Sequence, residues 1–284
     1  MSSKPTVAET HAAYILLTQA GTGASGAAIP FLMSWGLARF SFRNILRIWA
    51  VSLLIFIGPM LFFIKPRLPV TMSNEAQRRR FDYRFVYSPT FLFLQGGNIL
   101  QSMGFFIPGI YLPSYARSLG MNGATTTATI AMLNTMGVFG CIFVGFMVDR
   151  FHVTTVILVT MVGSAFAVFV LWGLSGSVPL VLLFSAVYGF FAGSFTTTYT
   201  GVVKEVREKV PGAEAGLIFG MLSAGRGIGS VASGPLSEAL LKDAAGFGKP
   251  VLGYGSGYKS LIIFTGISVA LGGLGFGARR LGRI

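Results

Sequence analysis

The stretch from Phe151 to Val203 contains no Asp, Glu, Lys or Arg. Apolar, charge-free runs of this length are the signature of chain that lies in lipid. A spanning helix takes about 20 apolar residues, so the run holds two. The turn signal Gly173-Leu-Ser-Gly-Ser-Val-Pro179 divides it. Charge-free stretches recur at Thr10–Ala38, Ile48–Ile64, Phe85–Ala116, Ser118–Val148 and Ser260–Ala278, and Ala215–Ser237 carries a single charge, Arg226. Helices are therefore predicted near 12–37, 46–64, 91–114, 124–148, 153–173, 179–202, 214–240 and 259–278. Backbone groups in lipid must satisfy one another within the segment. The expected fold is all-α, a polytopic membrane helix bundle of about eight transmembrane helices.

Composition closes the alternatives. Only 11% of the 284 residues are charged and 53% are hydrophobic, against roughly 25% charged in an ordinary globular domain. Neither a soluble enzyme nor a disordered chain fits those values. The net charge of +13 comes from 22 basic and 9 acidic residues. Its basic residues are scattered between apolar runs, which points to the lipid bilayer as partner and not to nucleic acid. With both termini cytosolic, 14 basic residues fall on the cytosolic side and 7 on the other, the bias that orients membrane proteins. The expected division is 1–64, a tail and two helices; 65–90, a cytosolic linker with a QRRRFDYR core; and 91–284, a bundle of six helices. Cys141 is the single cysteine, so no disulfide framework or zinc site can form. Residues 1–14 lack the apolar core of a cleaved signal peptide. Gly21-x-Gly23-x-x-Gly26 has the spacing of a dinucleotide fingerprint but lies inside a membrane helix with no strand before it. No cofactor, metal ligand set or catalytic residue is expected. His11 and His152 stand far apart, and no carboxylate pair lies within a span.

The polar exceptions inside the apolar runs are the candidate functional residues. Arg226 lies near the middle of its helix, where a charge is costly and marks function by default. It heads a polar stripe with Ser223, Ser230 and Ser233 at helical spacing. One reading makes it the counter-ion of an anionic substrate such as a carboxylate, held by bidentate hydrogen bonds; the other makes it a structural charge satisfied by backbone carbonyls or helix dipoles. The third helix carries Gln95, Asn98 and Ser102 on one face with Gln101 beside them, and Pro108 and Pro113 are expected to interrupt it. Such a helix either lines a cavity as a gate or glues helices by hydrogen bonds. Asn134 in the fourth helix has the same two readings. Tyr188, Phe195 and Tyr199 form an aromatic stripe on the sixth helix, with Tyr199 the candidate for substrate contact.

The first and seventh helices repeat one another. Ala20-Gly21-Thr22-Gly23 with Pro30 matches Ala224-Gly225-Arg226-Gly227 with Pro235, and the following helices open Phe42-Arg43 and Tyr258-Lys259. Parallel repeats of this kind mark transporters built of two equivalent halves. Together with LRIWA…FFIKPRLP, GFMVDRF and GMLSAGRGIGSVASGPLSEALL, these residues resemble the monocarboxylate-transporter-like branch of the major facilitator superfamily in its fungal form. That family has twelve helices in two halves. The resemblance implies that this chain corresponds to helices 5–12 and lacks the first four. It also implies secondary-active transport of a small organic anion by alternating access, with symport as the coupling. A metabolite exporter serving a biosynthetic pathway, or a truncated non-transporting remnant, are the alternatives, and association with another chain is expected if the bundle is to be completed. Gly145-Phe-Met-Val-Asp149-Arg150 resembles the family's G-x-x-x-D-R motif, implying a conformational latch in which Asp149 sits against the N-terminus of the seventh helix near 213–216. The glycine and basic residues usual after that motif are absent, since His152, Val153 and Thr154 follow Phe151. The plasma membrane is expected before the vacuolar one.

Overall fold

The computed structural model describes residues 7–63, 83–242 and 253–282. Most of the expected linker, with its arginine cluster, lies outside them. Ten α-helices follow one another, with no strand among the described residues: α1 Val7–Arg39, α2 Phe42–Leu61, α3 Pro89–Ser118, α4 Gly123–Arg150, α5 Val153–Phe166, α6 Val178–Gly193, α7 Tyr199–Lys209, α8 Ala215–Lys242, α9 Lys259–Leu271 and α10 Leu274–Arg280. Several are segments of one rod. A π-helical turn, Ala167–Trp172, prolongs α5. A 3₁₀ turn, Phe195–Thr198, joins α6 to α7, giving a 32-residue helical stretch from Val178 to Lys209. Eight rods result, as the apolar runs predicted. Six are long and apolar enough to cross a membrane. α3 is long enough but falls short of that apolarity, because Gln95, Asn98, Gln101 and Ser102 dilute it.

Two rods depart from expectation in detail. The sixth predicted helix does not run evenly through 194–198. Ser194 Oγ donates back to the carbonyls of Phe190 (2.8 Å) and Phe191 (3.0 Å), and Thr198 Oγ1 to Phe195 (2.7 Å). Such back-bonding competes with the regular helix ladder. The interruption expected at Pro108 and Pro113 is absent: α3 runs through both. Each proline removes one backbone donor, and close packing against α8 and α9 holds the helix together across the gaps.

α3 is the central rod, packed along α8 and α9, while α4 packs along α6 on one side and α1 on the other. Glycine sets the closest crossing. A Cβ on Gly140 would collide with the Phe190 carbonyl, and one on Gly189 with the Leu133 carbonyl, so the α4 and α6 backbones approach as only small residues allow. Gly229 does the same for α8 against α3, Gly225 makes room for the Gln95 side chain, and Gly216 and Gly220 face open space. The core between these helices is aromatic, with Trp172 stacked on Phe184 (5.2 Å) and Phe184 on Tyr188 (5.3 Å). α2 is peripheral, with only 6% of its apolar window buried and Phe62, Phe56 and Leu54 largely exposed. An apolar face of that extent would be an aggregation liability in water; in lipid it is at home.

Candidate functional site

Four of the expected site residues converge in one cluster where α3, α7 and α8 meet. Asn98 is at its centre and buried. Its Nδ2 donates to the Leu222 carbonyl (2.8 Å) and to Gln95 Oε1 (3.3 Å), while its Oδ1 accepts from Tyr199 Oη (2.7 Å). Gln95 Nε2 donates to the Met221 carbonyl (2.8 Å). These bonds tie α3 to the backbone of α8 in the turn before Arg226. The approach requires Gly225, since a side chain there would occupy the place of the Gln95 amide.

Arg226 stands near the middle of the 28-residue α8, about 17 Å from its start at 1.5 Å per residue. Its side chain is half-buried. Nη1 donates to Gln101 Oε1 (3.3 Å), and the guanidinium carbon lies 4.5 Å from the ring centre of Phe105 and 5.3 Å from that of Phe106. The phenols of Tyr199 and Tyr188 are within electrostatic reach. Among the described residues no Asp or Glu pairs with Arg226. The charge is thus held by neutral oxygens and aromatic faces, which stabilise a desolvated cation by about 2 kcal/mol per favourable ring contact. Gln101 is fully buried, and its Nε2 has no hydrogen-bond partner among the described residues. The sequence reading placed Gln101 beside the polar face and gave Phe105 and Phe106 no role. The signal was available: Gln101 follows Asn98 by one helical turn, and Phe105 follows Gln101 by another.

Asn134 lies elsewhere. Its Nδ2 donates to the Gly26 carbonyl of α1 (3.0 Å), and it lines a cavity of about 440 Å³ between α1 and α4 with Thr22, Pro30, Phe105, Cys141 and Thr196. Phe105 belongs to both places. It borders the cavity, and its ring centre lies 4.5 Å from the Arg226 guanidinium carbon. Tyr188 and Phe195 of the aromatic stripe are core residues; only Tyr199 joins the polar cluster.

The expected seat of Asp149 is not formed. Asp149 is exposed and has no ion-pair or hydrogen-bond partner among the described residues, and Arg150 folds over the Phe146 ring at 4.1 Å. Gly145 is in ordinary contact with Thr197. α7 packs against both α4 and α8. The ionic link on this side is different. His152 Nε2 lies 2.8 Å from Glu205 Oε2, Lys209 Nζ lies 3.2 Å from Glu205 Oε1, and Arg279 Nη1 donates to Thr154 Oγ1 (3.4 Å). His152 also caps α5 by accepting from the Thr154 amide (3.3 Å). The residues that depart from the latch motif thus join the start of α5 to α7 and α10.

Comparison with known proteins agrees with this architecture. Residues 6–234 match the sequence profile of the Major Facilitator Superfamily. The chain is 25% identical over 256 residues to the MFS transporter asaE of Aspergillus flavus, covering 90% of this chain and 54% of that one. It is 26% identical over 253 residues to the agnestins efflux protein AgnL12 of Paecilomyces divaricatus, covering 89% and 54%. It is 26% identical over 279 residues to the aspyridones efflux protein apdF of Emericella nidulans, covering 95% and 52%. The chain thus spans about half the length of the curated relatives it matches. No solved structure matches it.

Proposed function

Because the chain belongs to the major facilitator superfamily and is an integral, multi-pass membrane protein, we propose that it carries a small organic anion across a membrane by alternating access, with Arg226 as the counter-ion. The observation behind this reading is the guanidinium at mid-helix with aromatic and amide neighbours and no acidic partner among the described residues. An intramembrane charge left without an opposite charge costs several kcal/mol, a cost that a bound carboxylate removes. The cavity behind Phe105 offers an apolar wall with a few polar groups, the usual make-up of a small-molecule site. In this reading Gln95, Asn98 and Tyr199 hold α8 in register and Asn134 lines the path.

The direction favoured is export. Two of the relatives are named efflux proteins for agnestins and aspyridones, so a metabolite exporter serving a biosynthetic pathway is the form of transport proposed. The correspondence to helices 5–12 of the monocarboxylate-like branch, the cytosolic placement of both termini and the plasma membrane belong to the same proposal.

Cys141 provides the test, because it is the sole cysteine and lines the cavity. In the detergent-purified chain, benzoate should slow alkylation of Cys141 by N-ethylmaleimide and neutral benzamide should not. Arg226→Gln should abolish that protection. Counterflow of labelled benzoate in proteoliposomes is the transport arm. Equal protection by benzoate and benzamide, or protection that survives Arg226→Gln, would overturn the counter-ion role.

A further inference from the structure

A second cavity, of about 410 Å³, opens at the end of the bundle opposite the His152–Glu205 pair. α1 contributes Pro30, Met33, Ser34 and Leu37; α3 contributes Arg117 from its last turn; α4 contributes Thr126 from its first. One feature marks it as built for a ligand, beside an exposed arginine at its rim. Arg117 is exposed, lines the cavity and has no ion-pair or hydrogen-bond partner among the described residues. Thr126 is 3% exposed, yet its Oγ1 also lacks a partner among them. Buried polar groups are almost always satisfied, and neighbouring Thr127 shows the usual solution, donating to the Gly123 carbonyl at 2.9 Å. The first turn of α4 adds the positive end of a 28-residue helix. A guanidinium, an unengaged hydroxyl and a helix N-terminus share one sign of preference, for an anionic oxygen. The wall opposite them, Pro30, Met33 and Leu37, is apolar.

We propose that this cavity is an entry or exit subsite for the anionic group of an amphipathic solute, in series with the Asn134 cavity. Pro30 lines both spaces, and Thr126 and Asn134 stand on the same helix about 12 Å apart at 1.5 Å per residue. Arg117 and Thr126 hold the anionic group at the mouth; Arg226 takes it at the centre. The inference rests on the reading of the chain as an anion carrier, but it concerns a different arginine.

The test is alkylation of the exposed Ser34 position, as Ser34→Cys in a chain that also carries Cys141→Ser. In lipid-free detergent, benzoate at about four times its dissociation constant should slow N-ethylmaleimide about fivefold, by the 1 + [L]/Kd relation, and benzamide should not. Arg117→Gln should remove the protection, Arg117→Lys should keep most of it, and Thr126→Val should weaken it. Should Arg117→Gln not fold, Thr126→Val and Arg117→Lys decide. Arg226→Gln should leave protection at Ser34→Cys intact while removing it at Cys141, which separates the two sites. Absent protection, or protection unchanged by both Arg117→Gln and Thr126→Val, would overturn the subsite. So would its loss in Arg226→Gln. Nanodiscs of neutral phosphatidylcholine and of phosphatidylglycerol form the second arm. If phosphatidylglycerol alone slows alkylation as benzoate does, the anionic group is a lipid phosphate and the solute subsite is refuted.

Discussion

The hydrogen bond from Tyr199 to Asn98 should couple α7 to α3 measurably. It is 2.7 Å long, and its two residues are 3% and 1% exposed. In membrane bundles such bonds average about 0.6 kcal/mol in double-mutant cycles and reach about 1.7. A short bond with both partners buried belongs in the upper half of that range, so the coupling should be about 1–1.5 kcal/mol. Tyr199→Phe deletes this bond together with the hydroxyl's interaction with Arg226, and should cost about 1–2 kcal/mol. Asn98→Ala also gives up the bonds to Leu222 and Gln95 and opens a small void, for a total of about 2–3 kcal/mol. The double variant should be less unstable than the sum of the two by the coupling energy. Unfolding in mixed detergent–SDS micelles, followed by the fluorescence of buried Trp172, measures each corner of the cycle. Strict additivity would refute the reasoning, because it would mean that the bond contributes nothing beyond what each residue does alone.

Two further outcomes follow from packing. Gly140→Ala drives a methyl into the Phe190 backbone, which cannot rotate away as a side chain could; it should cost about 3 kcal/mol, whereas Gly216→Ala, facing open space, should be neutral in the same unfolding assay. Tyr115→Phe removes the bonds that its Oη makes to the Ser175 hydroxyl and carbonyl at 2.8 and 2.6 Å, but the hydroxyl still donates to the Trp172 carbonyl and the carbonyl still accepts from the Gly253 amide, so stability should fall by only about 1 kcal/mol without changing protection of Cys141.

Much of this fold is legible in the sequence because lipid enforces a simple rule. Charge-free runs become helices, and the turn at Gly173–Pro179 fell where its residues indicated. The central polar cluster was legible for the same reason: Gln95, Asn98 and Arg226 are conspicuous against an apolar background. What the sequence concealed is which faces meet. Asn134 resembles Asn98 as a lone amide in a span, yet it points to α1 and not to Arg226, because helix rotation is set by packing and not by hydropathy. Phe105 had no role in the sequence reading, and its place beside a guanidinium depends on how α3 and α8 pack against each other. The Asp149 latch was read from a motif, whereas in the structure Asp149 is exposed and has no partner among the described residues. The continuity of α3 through Pro108 and Pro113 likewise comes from neighbouring helices, which local sequence cannot report.

The guanidinium of Arg226, with no acidic partner among the described residues, also has an electrical meaning. A charge held midway through a bilayer sits about halfway down the membrane field, where a potential of 100 mV acts on it with roughly 1 kcal/mol, half the value for a full crossing. Under the proposed function the empty site carries this positive charge and the loaded site is neutral. Membrane voltage would then bear on the return of the empty carrier and leave the loaded step nearly untouched, so a guanidinium with no acidic partner among the described residues makes the resting half of the cycle the voltage-sensitive one.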